Sequence, residues 1–167
     1  AKLRRSQAAA LDGRPYSENL EMIIRSLLET DKIPEHPLLK PGKGKRQHLV
    51  VLSGDLGLCG GFNINIIEKT EALMNENPEN TDMTILGNKA YQYFYNRKAD
   101  ILDHYQDIDD VDKLALSKEL SQSIMALFHS KKYYQIRIVY TQFVSAITQN
   151  VSVDTVLPFS LPQREKT

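Results

Sequence analysis

The sequence predicts an α/β domain: a Rossmann-like, three-layer unit with a mixed sheet of about five strands. Three observations carry that reading. From Gln47 onward, apolar residues switch repeatedly between strand-like runs and stripes spaced by threes and fours. A glycine-rich turn, SGDLGLCGGFN, follows the first strand-like run directly. The 167 residues, 41% hydrophobic and 25% charged, suit one domain able to bury a core. Strands and helices alternating in this way are joined most simply as parallel strands with right-handed crossovers.

Residues 1–30 read as helix. AKLRRSQAAAL starts in mid-helix with Ala1, so the chain is expected to be a piece of a longer protein, and Gly13 and Pro15 mark a kink. Beyond the kink, Tyr16, Leu20, Ile23, Ile24, Leu27 and Leu28 form one apolar stripe. Such a stripe must be covered, either by its own domain or by a partner. Residues 31–46 are a connector broken by Pro34, Pro37, Pro41, Gly42 and Gly44. Its Lys40, Lys43, Lys45 and Arg46 form a basic patch that reads as a solvated loop, because no aromatic residues interleave for base stacking.

The globular domain is expected over 47–160. Its elements are a strand at 48–53, a helix at 62–75, a strand at 82–86, a helix at 88–97, a short strand at 101–105 and a helix at 111–129. The last helix presents Leu116, Leu120, Ile124 and Leu127 on one face, and DIDDVD puts carboxylates at its electropositive N-terminus. Two longer β segments at 133–141 and 151–158 close the sheet, and 161–167 is a tail without helical signal.

Several function classes are excluded. Twenty-one basic residues balance 21 acidic ones, so no overall field draws the chain to nucleic acid. No apolar run is long enough to span a bilayer. Cys59 is the only cysteine, which excludes an internal disulfide and a cysteine-rich zinc site. At a helix N-terminus it could serve as a nucleophile, or pack as a small buried thiol. His36, His48, His104 and His129 are scattered without metal-binding spacing, so neither a metal nor a cofactor is expected. DIDDVDKLALSK fails as a calcium loop, since Val111, Asp112 and Lys118 stand where an oxygen ligand, glycine and glutamate belong.

The glycine turn is the strongest candidate for a site, since backbone N–H groups at a helix N-terminus grip phosphate. Yet Phe62 and Asn63 follow Gly61 where a Walker loop needs Lys and Ser/Thr. The dinucleotide fingerprint fails as well, because Leu56 and Cys59 occupy the place of its second glycine.

At this point the chain resembles the γ subunit of F-type rotary ATP synthases. SGDLGLCGGFN is similar to the family signature S-D-R-G-L-C-G-G-x-N, matched here by Gly57, Leu58, Cys59, Gly60, Gly61 and Asn63. GNKAYQYFYNR is similar to its G-x-K-x(4)-F-x-x-R segment, through Gly87, Lys89, Phe94 and Arg97. YTQFVSAITQNVSVDTVLPF resembles its F-x(5)-Q…LP segment, through Phe143 and Gln149, and AKLRR with RPY fits the family's start. The resemblance implies a non-catalytic central shaft that transmits rotation between a membrane proton-translocating ring and a catalytic α/β hexamer. It implies α, β and ε subunits and the ring as partners, and a peripheral place on the cytoplasmic side of a bacterial membrane, with the mitochondrial matrix as the alternative. It would place the 16–28 stripe in an antiparallel coiled coil, with residues 1–30 the lower part of one shaft helix and a second long helix beyond Thr167. Without a further cysteine pair, the plastid-type redox switch is not expected. Gly54 and Leu56 replace the signature's Ser and Arg, which leaves a γ-like paralogue in another motor or scaffold as an alternative. A Rossmann-like nucleotide-binding enzyme is the second, carried by strand-glycine-helix order alone.

Overall fold

A computed structural model describes residues 42–54, 62–107, 112–143 and 149–158. The elements run β1 (Arg46–Leu52), α1 (Phe62–Asn75), a 3-10 turn at Pro78–Asn80, β2 (Thr81–Leu86), α2 (Asn88–Asn96), β3 (Ile101–Tyr105), α3 (Lys113–His129), β4 (Tyr133–Phe143) and β5 (Gln149–Leu157). The sheet order is β3-β2-β1-β4-β5. β1 lies parallel to β2 and to β4, β2 parallel to β3, and β5 returns antiparallel along β4. The expected mixed five-stranded sheet is therefore present.

β1 reads RQHLVVL and is buried from Gln47 onward, as a central strand covered on both faces must be. Strand parity sorts its residues. Leu49 and Val51 join Met83, Ile85 and Val139 beneath Ile66, Leu73, Ala90 and Phe94 of α1 and α2. Val50 and Leu52 join Leu86, Ile136 and Ile138 beneath Leu116, Leu120, Ile124 and Phe128 of α3. Helices thus cover both faces, which makes three layers.

The structure moves some boundaries for identifiable reasons. β1 begins at Arg46 because its N–H reaches the Lys132 carbonyl at 3.0 Å, in register with Tyr133. α3 starts at Lys113, with Asp112 as the cap: its Oδ1 accepts from Leu114 N at 3.0 Å and Ala115 N at 3.3 Å. One of the expected entry carboxylates thus caps the helix. The buried stripe of α3 closes on Phe128, while Leu127 is only partly buried, since a strict spacing of four favours the former. α2 stops at Asn96, and its end is folded back by Lys98 N to Tyr95 O at 3.1 Å and Ala99 N to Phe94 O at 3.0 Å, with Lys98 left-handed at φ 57°. β4 and β5 extend to pair Phe143 with Gln149, so these two family-matching positions sit opposite each other.

The 16–28 stripe, the coiled coil expected for it, the signature residues Gly57 to Gly61 and the 161–167 tail lie outside the described residues. Among the described residues no helix is long and apolar enough to cross a membrane.

Candidate functional site

The strand order reverses between β1 and β4, and in open α/β sheets ligands bind outside the carboxyl ends of the strands at such a switch. The glycine turn leaves β1 at that place.

Ser53 follows β1, and its N–H donates to Leu86 O at 2.8 Å, carrying the β1–β2 ladder one step further. Its hydroxyl accepts from Ala90 N at 3.1 Å, and the Gly54 carbonyl accepts from Lys89 N at 3.1 Å. Two of the first free N–H groups of α2, of the kind that would hold an anion, are therefore bonded to the protein's own chain. The Gly54 N–H in turn donates to Asn63 Oδ1 at 2.9 Å, so the buried Asn63 side chain ties the two ends of the glycine turn together. Gly87 completes the junction: at φ +95°, ψ 149° it adopts a conformation closed to side chains, and an added Cβ would lie 2.0 Å from the Ser53 carbonyl oxygen. The structure thus brings together Asn63, Gly87 and Lys89, taken from two separate motifs, around Ser53 and Gly54.

Other family-matching residues lie elsewhere. Phe94 is buried in the core beneath α1 and α2. Arg97 lies 3.4 Å over the Tyr93 ring and 4.0 Å from the Glu71 carboxylate, which also accepts the Tyr93 hydroxyl. It fastens the end of α2 to α1 beside a groove of about 450 Å³ lined by Glu71, Met74, Pro78, Phe94, Arg97 and Asp100.

At the opposite end of the sheet from the glycine turn is a polar cluster that no sequence motif announced. Asp82 of β2 accepts from Arg46 Nε at 3.1 Å and Nη2 at 3.0 Å, from the Tyr133 hydroxyl at 2.6 Å and from His48 Nδ1 at 2.5 Å. His48 Nε2 meets the Thr84 hydroxyl at 2.8 Å, and Arg46 also reaches Asp100 at 3.0 Å. His48 is 0% exposed and lies within β1, two residues past its start, where the sequence expected it as the first residue of the strand. Burial alone would raise the Asp82 carboxyl. The hydrogen bonds from His48, Tyr133 and Arg46, with the electrostatic pull of His48, outweigh it and hold that group below the ordinary carboxylate range. Burial and the bond to Asp82 push the Tyr133 phenol up to about 12. The cluster has the residue types of a proton relay, but it sits at the amino ends of the parallel strands with its histidine sealed from solvent. Its geometry is that of a clamp across β1, β2 and β4. Among the described residues no three His, Cys, Asp or Glu side chains are grouped to hold a metal.

Fold and junction define a class: a Rossmann-like α/β domain whose β2-to-α2 corner is bonded internally. The family model described as "ATP synthase" matches residues 1–167, so the chain belongs to the ATP synthase family. Within that family its relatives are gamma chains. The ATP synthase gamma chain of Picosynechococcus is 36% identical over 163 residues, covering 95% of this chain and 52% of that protein. The chloroplastic gamma chain of Pisum sativum is 36% identical over 166 residues, covering 96% and 44%. The chain therefore spans about half the length of the curated relatives it matches. In fold it is similar to a chain of the Tetrahymena thermophila mitochondrial ATP synthase central stalk and c-ring structure, with a TM-score of 0.65, 18% identity and coverage of 95% of this chain and 73% of the other.

Proposed function

We propose that this chain acts as a non-catalytic central-stalk γ subunit of an F-type ATP synthase, transmitting rotation between a membrane proton-translocating ring and a catalytic α/β hexamer. The observation that carries the reading is the match of the whole chain to the family, with gamma chains as its relatives. The described margin of the glycine turn is compatible with it, because Gly54 N and the α2 N–H of Ala90 are bonded within the protein. Residues 47–160 serve as the globular foot, and the 16–28 stripe packs in the shaft. The partners are the α and β subunits, the ε subunit and the ring, and the place of action is the face of a coupling membrane, bacterial or mitochondrial. A rotor foot must be stiff, since a compliant one would store work elastically, and a sheet buried on both faces at close-packed density meets that need.

Co-expression of the full gene with cognate α and β subunits tests this. One complex that hydrolyses ATP only when all three are present is expected. A chain that never co-purifies with them would overturn the proposal.

A further inference from the structure

Three consecutive polar residues, Arg46, Gln47 and His48, open a central strand whose remaining residues, Leu49–Leu52, are apolar. Gln47 and His48 are fully buried. On one face of β1, Arg46 and His48 bond Asp82 of β2, and Arg46 goes on to Asp100, immediately ahead of β3. On the other face, Gln47 Nε2 donates to the Leu73 carbonyl and to the Thr81 hydroxyl, each at 2.9 Å, and its Oε1 accepts from Arg137 Nη2 at 2.7 Å. The backbone just upstream is held as well. Gly42 N donates to Tyr134 O at 3.3 Å, Arg46 N donates to Lys132 O at 3.0 Å, and the Lys45 carbonyl accepts from Asn77 Nδ2 at 3.0 Å. The approach to β4 is so close that a Cβ on Gly44 would fall 2.0 Å from the Lys132 carbonyl carbon. Residues 42–48 are thus tied to α1, to the turn that follows it, to β2 and β4, and to the entry of β3.

Stability alone does not call for this arrangement. A buried, bonded ion pair roughly breaks even against well-packed apolar side chains, and apolar residues here would simply continue the Leu49–Leu52 run. The two kinds of contact differ in what they resist. Apolar contact has no preferred direction and lets surfaces slide, whereas a hydrogen bond weakens steeply once its length or angle is disturbed. A sideways pull on the chain ahead of β1 would load its ladder bonds one at a time from Arg46, while a pull along the strand loads both ladders together. The polar bonds stand where that peeling would begin. We propose that residues 42–48, held through Arg46, Gln47 and Asp82, form the joint through which torque passes between the preceding segment and the sheet. The inference rests on the stalk reading, which supplies the torque. Arg46, Gln47 and Asp82 act as positioning residues that fix the angle at which the chain enters the sheet. Among the described residues β1 has a neighbour on each side and β5, by which the chain leaves, has β4 alone, so β1 is the stiffer of the two attachments.

The test uses the full gene assembled with cognate α and β subunits, the hexamer fixed to a surface and a bead carried on α3 at the exposed Lys118 position. With rotation stalled, the spread of bead angles reports torsional stiffness. D82N and R46M are expected to widen the angular variance at least twofold. I124A trims the buried stripe of α3 and lowers the melting temperature to a similar degree, yet it should leave the variance at the parent value. Stability and stiffness are thereby read apart. If D82N or R46M does not assemble, Y133F, which removes a single bond to Asp82, is read in its place and should widen the variance in the same direction. Variance unchanged in the joint variants, or widened equally in I124A, would overturn the proposal and leave the stalk reading intact. A parent chain that does not assemble overturns both.

Discussion

Substituting Gly87 by alanine probes the junction most directly. The residue sits at φ +95°, ψ 149°, and holding a side chain in such a conformation costs about 1–3 kcal/mol. The new methyl would also meet the Ser53 carbonyl oxygen at 2.0 Å, where ordinary contacts are roughly 3.5 Å. Ser53 would have to withdraw by more than an ångström, and two hydrogen bonds depend on its position: Ser53 N to Leu86 O and Ala90 N to Ser53 Oγ. Losing both adds about 1–3 kcal/mol. The expected total is about 4 kcal/mol, which for a domain of this size lowers the melting temperature by on the order of 10 °C. Urea denaturation followed by circular dichroism measures it, with the exposed Gln92→Ala on the same helix as control. A loss below about 1 kcal/mol would refute the claim that this corner is closed by direct backbone contact.

The clamp and the helix ends give further expectations. Asp82→Asn leaves Arg46 and His48 without their carboxylate and should cost about 3 kcal/mol, read as a lowered urea midpoint with unchanged slope. The folded Asp82 carboxyl lies below its unfolded value of 3.8, so its contribution is present above that pH and is lost as pH falls below it; acid unfolding of Asp82→Asn should therefore be shallower than that of the parent. Tyr133 has the opposite sign: its phenol is raised from 10.0 to about 12, so its contribution is complete below pH 10 and is lost between pH 10 and 12, and Tyr133→Phe should flatten that alkaline loss. Lys98 occupies a left-handed cap position that glycine takes without strain, so Lys98→Gly should raise stability by about 1 kcal/mol, seen as a melting temperature a few degrees higher.

The layered sheet was legible because each element carries its own period within a short window. QHLVVL and TDMTIL are strands by composition, and the α3 stripe repeats every fourth residue. Boundaries were less so, since Arg46 and the Phe143–Gln149 pair belong to strands only through partners elsewhere in the chain. The clamp was invisible for the same reason: Asp82 meets His48, Arg46 and Tyr133 across separations of 34, 36 and 51 residues. A signal existed, because His48, Asp82 and Thr84 interrupt buried strands with polar side chains at matching parity, and buried polar groups demand partners. The glycine turn raised a nucleotide reading on local pattern alone. Only the long-range bonds of Ser53, Gly54 and Asn63 show how its margins are used.

The central place of β1 bears on how the chain folds as it leaves the ribosome. β1 ends at Leu52, but its second neighbour is not complete until Val139 has been made. At about 5–20 residues per second, roughly 5–20 s pass while one edge of β1 stays open. During that interval β2, β3, α1 and α2 can assemble on one side, leaving a bare apolar edge and an Asp82 without its tyrosine. Nascent chains stalled between about residue 105 and residue 139 are therefore the species most in need of a chaperone, and arrival of β4 is the step that releases them.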